Sequence, residues 1–281
     1  MSIVGEATGA LGLLGKAWGW LRDRLDPARV QAQRLIQAFE AYGIARQQIP
    51  RLMPADPTVP NAAFSSPDKL KAHLTPALLD WAAEHLAIRR SWLDGIGSQP
   101  HLIEDHYKAV AGYRDWLAQR IEQVPLVHRF VHVWKPQGPA IGPEAFGPVC
   151  LVYEETSDGL DGAEFSRFWR LSDEWPLDHA PCAENMIAVV AIARSLGILV
   201  LGHELALDDL RKLTAGKALI PDLQRRRHGR WHPEDLIKPL AGQDSAWRQA
   251  RWQGAQGYLA QAGIDVATVA GARLGAGTVN S

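Results

Sequence analysis

Residues 126–134 (LVHRFVHVW) and 148–155 (PVCLVYEE) decide the fold class of this chain. Both are short runs of β-branched, aromatic and aliphatic residues, which is the composition of β-strands. The segment between them, KPQGPAIGPEAFG at residues 135–147, is rich in glycine and proline and predicts a turn. We therefore expect two strands joined by a loop at the start of the C-terminal half.

The remainder of the C-terminal half continues as strands and helices. We expect strands at 165–171 and 198–201, and helices at 183–196, 207–213 and 245–262. The 183–196 segment is apolar nearly all round, so it predicts a buried helix that Gly197 ends. Since strands come first and helices later, the pattern indicates an α+β domain over 125–268 with a small mixed or antiparallel sheet, followed by a flexible tail at 269–281.

The N-terminal half has a helical period and predicts a mainly α domain over residues 26–124. Asp26 and Pro27 form an N-cap followed by a first-turn proline, and Gly43 ends the pattern, which predicts a helix over 27–43. A short helix at 45–53, a proline-rich loop, a helical pattern from 66 to 86 and a helix at 105–123 follow.

Two stretches of this half carry a resemblance. RLIQAFEAYGIARQQIPRLM at 34–53 and LLDWAAEHLAIRRSWLDG at 78–95 resemble the five-helix DNA-binding domain of Cro/C1-type (Xre-like) helix-turn-helix regulators. The resemblance covers about residues 30–97. At the place of the family's recognition helix the chain reads PADPTVPNAAFSSP, residues 54–67, which contains four prolines. The resemblance implies a transcription regulator that binds DNA through this region.

The residues that would contact DNA lie around the second predicted helix. Arg46, Gln47, Gln48 and Arg51 are the candidates for phosphate contacts, and Asn61 is the candidate for a base contact. The alternative is that they are solvent-facing residues of a small helical domain that binds protein. The net charge of −1, from 30 basic and 31 acidic residues, argues against a strongly electrostatic, sequence-blind nucleic-acid binder.

Two further clusters suggest binding chemistry in the C-terminal half. Arg225, Arg226, Arg227 and Arg230 could bind a phosphate-bearing small ligand, because guanidinium groups bind phosphate in a bidentate manner. The alternative is a solvated basic face. An acidic cluster could bind a divalent cation in a nuclease or hydrolase, or form a solvated turn; its members are Glu154, Glu155, Asp158, Asp161 and Glu164.

The N-terminal residues 3–25 are the candidate membrane or assembly segment. They hold a stripe of Leu11, Leu14, Trp18, Leu21 and Leu25 at helical spacing, which predicts an amphipathic helix packed on its own domain or on a partner. Membrane contact is the alternative that is not favoured. Two cysteines cannot form a disulfide framework for 281 residues, so we expect a cytoplasmic protein.

Together these features favour a DNA-binding transcriptional regulator whose C-terminal domain senses a ligand or partner. We expect a homo-oligomer, with no metal site, no cofactor and no catalytic residue. A protein-interaction or assembly module, possibly membrane-associated through residues 3–25, is the first alternative. A metal-dependent nuclease or hydrolase is the second.

Overall fold

A computed structural model describes residues 26–55, 58–125, 127–138, 140–226, 228–237 and 246–267. The predicted amphipathic segment 3–25 and the predicted tail 269–281 lie outside these ranges, as does Arg227. The chain divides into two compact units between Pro100 and His101. The sequence predicted the boundary between the two domains near residues 124–125 instead. No helix within the described ranges is long and apolar enough to cross a membrane.

The first unit, here the helical unit, contains short helices and turns. Its helices are α1 Pro27–Ala41, α2 Ile49–Leu52, α3 Pro67–Leu70, α4 Pro76–His85 and α5 Arg90–Leu93, with 3₁₀ turns at Asn61–Ser65 and Lys71–His73. Side-chain oxygens cap three of the helices: Asp26 accepts from the Arg29 amide, and Ser66 and Thr75 accept from the amide three residues on. Such caps satisfy amides that have no partner within the helix.

Large apolar side chains form the core of the helical unit. The fully buried ones come from the five helices, the Asn61–Ser65 turn and the residue that follows α4: Leu35, Phe39, Ile49, Phe64, Leu70, Leu78, Leu86 and Leu93. The helical pattern predicted over 66–86 is not one helix. It is broken at Leu74 and Thr75, which are both extended, because Pro76 disfavours helical geometry at the residue before it. The helix predicted over 45–53 is also wrong in extent, since only Ile49–Leu52 is α-helical.

The second unit, here the α+β unit, is built on a six-stranded sheet. The strands are β1 His128–Pro136, β2 Pro148–Asp158, β3 Glu164–Arg170, β4 Trp175–Pro176, β5 Leu199–Leu205 and β6 Gly229–Trp231. The main sheet has the order β3-β2-β1-β5-β6, and β4 pairs with β2. β1 and β5 are parallel and the other pairs are antiparallel, so the sheet is mixed, which is one of the two arrangements that the sequence left open.

Five helices accompany the sheet: α6 Val110–Gln123, α7 Ala180–Ser195, α8 Leu207–Thr214, α9 Ile220–Gln224 and α10 Ala246–Gln261. α7 supplies a run of buried side chains and packs against α6 and α10. It connects β3 and β4 to β5 and so provides the crossover that a parallel pair requires. The predicted buried helix at 183–196 is confirmed, with Gly197 at a left-handed φ of 73° beyond its end.

The helix predicted over 105–123 begins later than expected, at Val110. Asp105 accepts hydrogen bonds from the Tyr107 amide and the Tyr113 hydroxyl, and Lys108 has a φ of +62° that no α-helix allows. The sequence grouped this helix with the helices before it. In the structure it belongs to the α+β unit, where Arg120 binds Glu155 of β2.

Candidate functional site: a polar ladder across the sheet

One face of the main sheet carries a row of polar side chains drawn from four neighbouring strands. The row contains Ser166 of β3, Thr156 and Glu154 of β2, His132 of β1 and His203 of β5. In the strand register, Thr156 of β2 lies opposite Ser166 of β3. His203 of β5 lies opposite Trp134 of β1, which is two residues from His132. Because side chains alternate between the faces of a strand, these five share one face. We refer to them as the polar ladder.

The ladder is continuous in hydrogen bonds. The hydroxyls of Ser166 and Thr156 lie 2.8 Å apart, and Thr156 Oγ1 donates to Glu154 Oε1 at 2.9 Å. Glu154 Oε2 lies 2.5 Å from His132 Nε2, and His132 Nδ1 lies 2.8 Å from His203 Nε2. Both histidines and Glu154 are buried. Such a network resists rearrangement, because a buried polar group that loses its partner is costly.

The charge of Glu154 determines where the protons lie in the ladder. Burial would raise the pKa of this carboxyl, but the hydrogen bond and charge interaction with His132, together with Gln224, hold it at about 2. Gln224 Nε2 of α9 donates to Glu154 Oε2 at 3.0 Å. An ionised carboxylate only accepts hydrogen bonds, so the Nε2 nitrogen of His132 carries a proton.

His203 forms the far end of the ladder. Its ring stacks on Trp134 at 4.2 Å between centroids and meets His228 edge-on at 4.7 Å. Burial lowers the pKa of His203 to about 3, and repulsion from His132 and His228 adds to the effect. His203 Nδ1 and Trp134 Nε1 are both buried, and neither finds a hydrogen-bond partner among the described residues.

The opposite face of the sheet carries a separate ion-pair cluster. Arg120 of α6 binds Glu155 through Nε at 2.8 Å and Nη2 at 2.5 Å, and Arg167 of β3 reaches the same carboxylate at 3.0 Å. Both guanidinium groups also lie over the Trp169 ring. This cluster attaches α6 to the sheet.

The acidic cluster considered for a divalent cation is divided by the sheet. Adjacent residues of a strand face opposite ways, so Glu154 enters the polar ladder while Glu155 binds Arg120. Asp158, the last residue of β2, pairs with Glu164, the first residue of β3, and Asp161 lies in the turn between them. Within the described ranges, no three His, Cys, Asp or Glu side chains form a group that could hold a metal ion.

The arginines considered for a phosphate do not converge where the structure describes them. Arg225 pairs with Asp222 at 2.5 Å, and Arg226 pairs with Asp209 at 2.6 Å. Arg230 lies on β6 opposite His203, and its side chain is exposed. Two of the guanidinium groups are thus already bound to carboxylates.

The residues considered for DNA lie on the helical unit, where two of them serve local structure. Arg46 binds Glu40 of α1 at 2.6 Å and the Ser65 carbonyl at 3.0 Å. Gln48 accepts a hydrogen bond from the Ala45 amide at 2.9 Å. The other three, Gln47, Arg51 and Asn61, are exposed.

A groove of about 500 Å³ runs along the exposed side of α1. Gln33 and Gln37 are exposed and line it, and both charge signs are present at its walls through Arg29, Glu40 and Arg46. The charges are positioned by ion pairs, since Arg29 binds Asp68 at 3.1 Å and Arg46 binds Glu40. We refer to this surface as the α1 groove.

The polar ladder was missed in the sequence because its members are far apart along the chain. A weak signal was present: His132 stands between two valines in a strand, and Glu154 follows a run of apolar residues. Polar residues at buried strand positions require partners, but only the register identifies them. Comparisons with protein-family models, curated proteins and solved structures found no match to this chain.

Proposed function

We propose that this is a regulatory protein of the interaction-module type, in which the helical unit docks onto another protein through the α1 groove. The observation that carries the proposal is the electrostatic character of that groove. Its basic residues are held in ion pairs with Asp68 and Glu40, and the exposed amides of Gln33 and Gln37 line it. Amide side chains and charged groups of both signs can bind the mixed polar surface of a protein partner.

Basic side chains elsewhere in the helical unit are also held in ion pairs with carboxylates. Lys71 binds Asp26 at 2.6 Å, and Arg90 binds Asp80 as well as Asp94 at 3.1 Å. DNA affinity arises largely from cations that replace the counterions of phosphate groups. A cation that already neutralises a carboxylate contributes less to that exchange, so these pairs favour a protein partner over a polyanion.

The segment in the place of a recognition helix also supports a protein partner. Asn61–Ser65 is a single 3₁₀ turn of five residues, and Ala63 and Phe64 point into the core. A helix that reads the major groove presents several side chains from successive turns to base edges. Of this turn, only Asn61, Ala62 and Ser65 are exposed.

Site-specific photocrosslinking in the source cell tests the proposal. A photoreactive amino acid replaces Gln37 in the α1 groove, and the matched control carries it at Gln47, which is exposed outside the groove. We expect one protein to be crosslinked from position 37 and not from position 47. That protein, once purified, should bind the Gln33→Ala, Gln37→Ala double variant at least tenfold more weakly than the wild type. Equal crosslinking from both positions, or unchanged binding of the double variant, would contradict the proposal.

DNA binding is the second candidate, and the exposure of Gln47, Arg51 and Asn61 favours it. These side chains face solvent and are accessible to a nucleic acid, as the Cro/C1-type resemblance implies. Under this candidate, Arg51→Gln weakens binding to all DNA sequences, since a phosphate contact carries no sequence information. Asn61→Ala instead changes the preferred sequence.

A further inference from the structure

We infer that a cavity in the α+β unit, where β2 begins, β4 pairs with it and α8 ends, binds a di- or tripeptide with free termini. The cavity has a volume of about 710 Å³ and is lined by both acidic and basic side chains. We refer to it as the charged cavity. It shares no residue with the α1 groove, so the inference goes beyond the proposed function and does not depend on it.

The two signs of charge in the charged cavity come from separate segments of the chain. Glu174 and Asp178 lie on either side of β4. The basic side chains belong to the last turn of α8 and the turn that follows it: Arg211, Lys212 and Lys217. Within the part of the chain that the structure describes, no ion pair joins the two segments. Opposite charges that share a cavity without neutralising each other can each bind a complementary group of a ligand.

The charges that remain available in the charged cavity match a zwitterion. Two basic side chains already pair with carboxylates of α8, since Lys212 Nζ lies 3.0 Å from Asp209 and Arg211 lies 3.6 Å from Asp208. The lining side chains that are exposed and make no ion pair with any described residue are Glu174, Asp178 and Lys217. An anion would meet the two carboxylates and a cation would meet the lysine. A ligand with an ammonium at one end and a carboxylate at the other satisfies both.

The size of the charged cavity indicates a short peptide instead of a single ion. Its volume of about 710 Å³ falls in the range of about 300–1,000 Å³ that is typical of small-molecule sites. A sphere of that volume is about 11 Å across, which corresponds to about three extended residues at roughly 3.3–3.6 Å each. Between the charges the lining is formed by Pro148, Pro176 and Ala215, so it can pack against short apolar side chains.

The segments around the charged cavity are held in place by the fold. β4 pairs with the beginning of β2, and the Leu177 amide donates to the Gly147 carbonyl oxygen at 2.9 Å. The buried Arg170 of β3 joins the acidic segment to the end of α8, because its Nη2 donates to the Thr214 carbonyl oxygen and to Asp173 Oδ1 at 3.0 Å. Since these contacts exist before a ligand binds, binding loses little conformational entropy.

Calorimetric titration of the full chain with trialanine at low ionic strength, where charges are least screened, tests the inference. Two blocked peptides provide the comparison: N-acetyl-trialanine lacks the ammonium, and trialanine amide lacks the carboxylate. We expect one trialanine to bind per chain. Each blocked peptide should bind at least about threefold more weakly, because each loses one of the two charge interactions.

Variants that remove charges show which end of the peptide meets which segment. Lys217→Gln should weaken the binding of trialanine and N-acetyl-trialanine at least about threefold, and should leave the binding of the amide unchanged. The double variant Glu174→Gln, Asp178→Asn should weaken trialanine and the amide, and leave N-acetyl-trialanine unchanged. The matched controls are Lys69→Gln and Glu164→Gln, which alter exposed residues outside the charged cavity and should bind all three peptides like the wild type.

The altered side chains are exposed, so the variants should melt like the wild-type chain, and thermal unfolding without peptide verifies this. Absence of saturable trialanine binding to the wild-type chain would overturn the inference. So would blocked peptides that bind as tightly as trialanine. A cavity variant that weakens all three peptides equally would also overturn it, because that result shows no recognition of the peptide termini.

Discussion

At the scale of single residues, the polar ladder ties the strand register to the hydrogen-bonding of buried side chains. A slip of β2 by one residue would move Glu154 to the face where Glu155 binds Arg120, and would leave His132 without its carboxylate. The sequence could not reveal this, because Glu154, His132 and His203 come from three strands. Their partnership depends on the parallel β1–β5 pair, which brings residues 71 positions apart within 2.8 Å.

Two buried histidines predict how stability depends on pH. Burial lowers the pKa of His203 to about 3, and burial together with Arg170 lowers that of His101 to about 3, from an ordinary value of 6.5. Between these values the unfolded chain binds protons that the folded chain does not, so the free energy of unfolding falls as pH falls below 6.5. The lowered pKa of Glu154 also contributes to the free energy of unfolding, but this contribution is lost only as pH falls from 4.5 towards 2. Glu154 therefore does not affect the pH dependence above about pH 5.

Urea unfolding at several pH values between 6.5 and 5 measures this effect. Each histidine should contribute on the order of 1.4 kcal/mol per pH unit at full slope. His203→Gln should therefore lower the pH slope of the unfolding free energy by about one proton, whatever its effect on stability at neutral pH. A slope equal to that of the wild type would contradict the burial of a neutral His203.

At the scale of elements, segments with a distinctive composition were predicted from the sequence. An element that depends on close approach of two backbones was not. The segments that form β1, β2, β3 and α7 were predicted, the strands from their β-branched and aromatic residues and α7 from an apolar run too long for a strand. β6 was missed, since its Gly229–Trp231 stretch looked like part of a solvated basic cluster. What permits β6 is Gly202 of β5, opposite Trp231, where a Cβ would clash with the Trp231 carbonyl oxygen and lie 2.8 Å from Pro233 Cδ.

Gly202→Ala and Gly257→Ala should therefore change stability in opposite directions. At Gly202 the new methyl group meets backbone and the Pro233 ring, which overpacks the β5–β6 pair and should cost about 1–3 kcal/mol. At Gly257 in α10 a Cβ meets no described heavy atom within 4 Å, so alanine should stabilise the helix by about 0.5–1 kcal/mol. Chemical denaturation of both variants measures the difference, and equal effects would contradict the β5–β6 packing.

At the scale of the whole molecule, the sequence predicted a helical region followed by an α+β region with a mixed or antiparallel sheet, because hydrophobic periodicity changes from 3.6 to 2 along the chain. It placed the division after α6, whereas the two compact units divide at Pro100. Amphipathic periodicity shows that a helix has a buried face but does not identify the unit it packs on. The Arg120–Glu155 pair and the Trp116–Tyr153 contact hold α6 in the α+β unit, and both join residues more than 30 positions apart.

The most direct test of the central claim, that the helical unit binds protein and not DNA, is fluorescence anisotropy of random-sequence duplex DNA titrated with the full chain at decreasing salt. Ion-paired basic residues and a short 3₁₀ turn in place of a recognition helix predict no binding even at low ionic strength. Binding that strengthens steeply as salt is lowered, and that weakens in Arg51→Gln, would contradict the account.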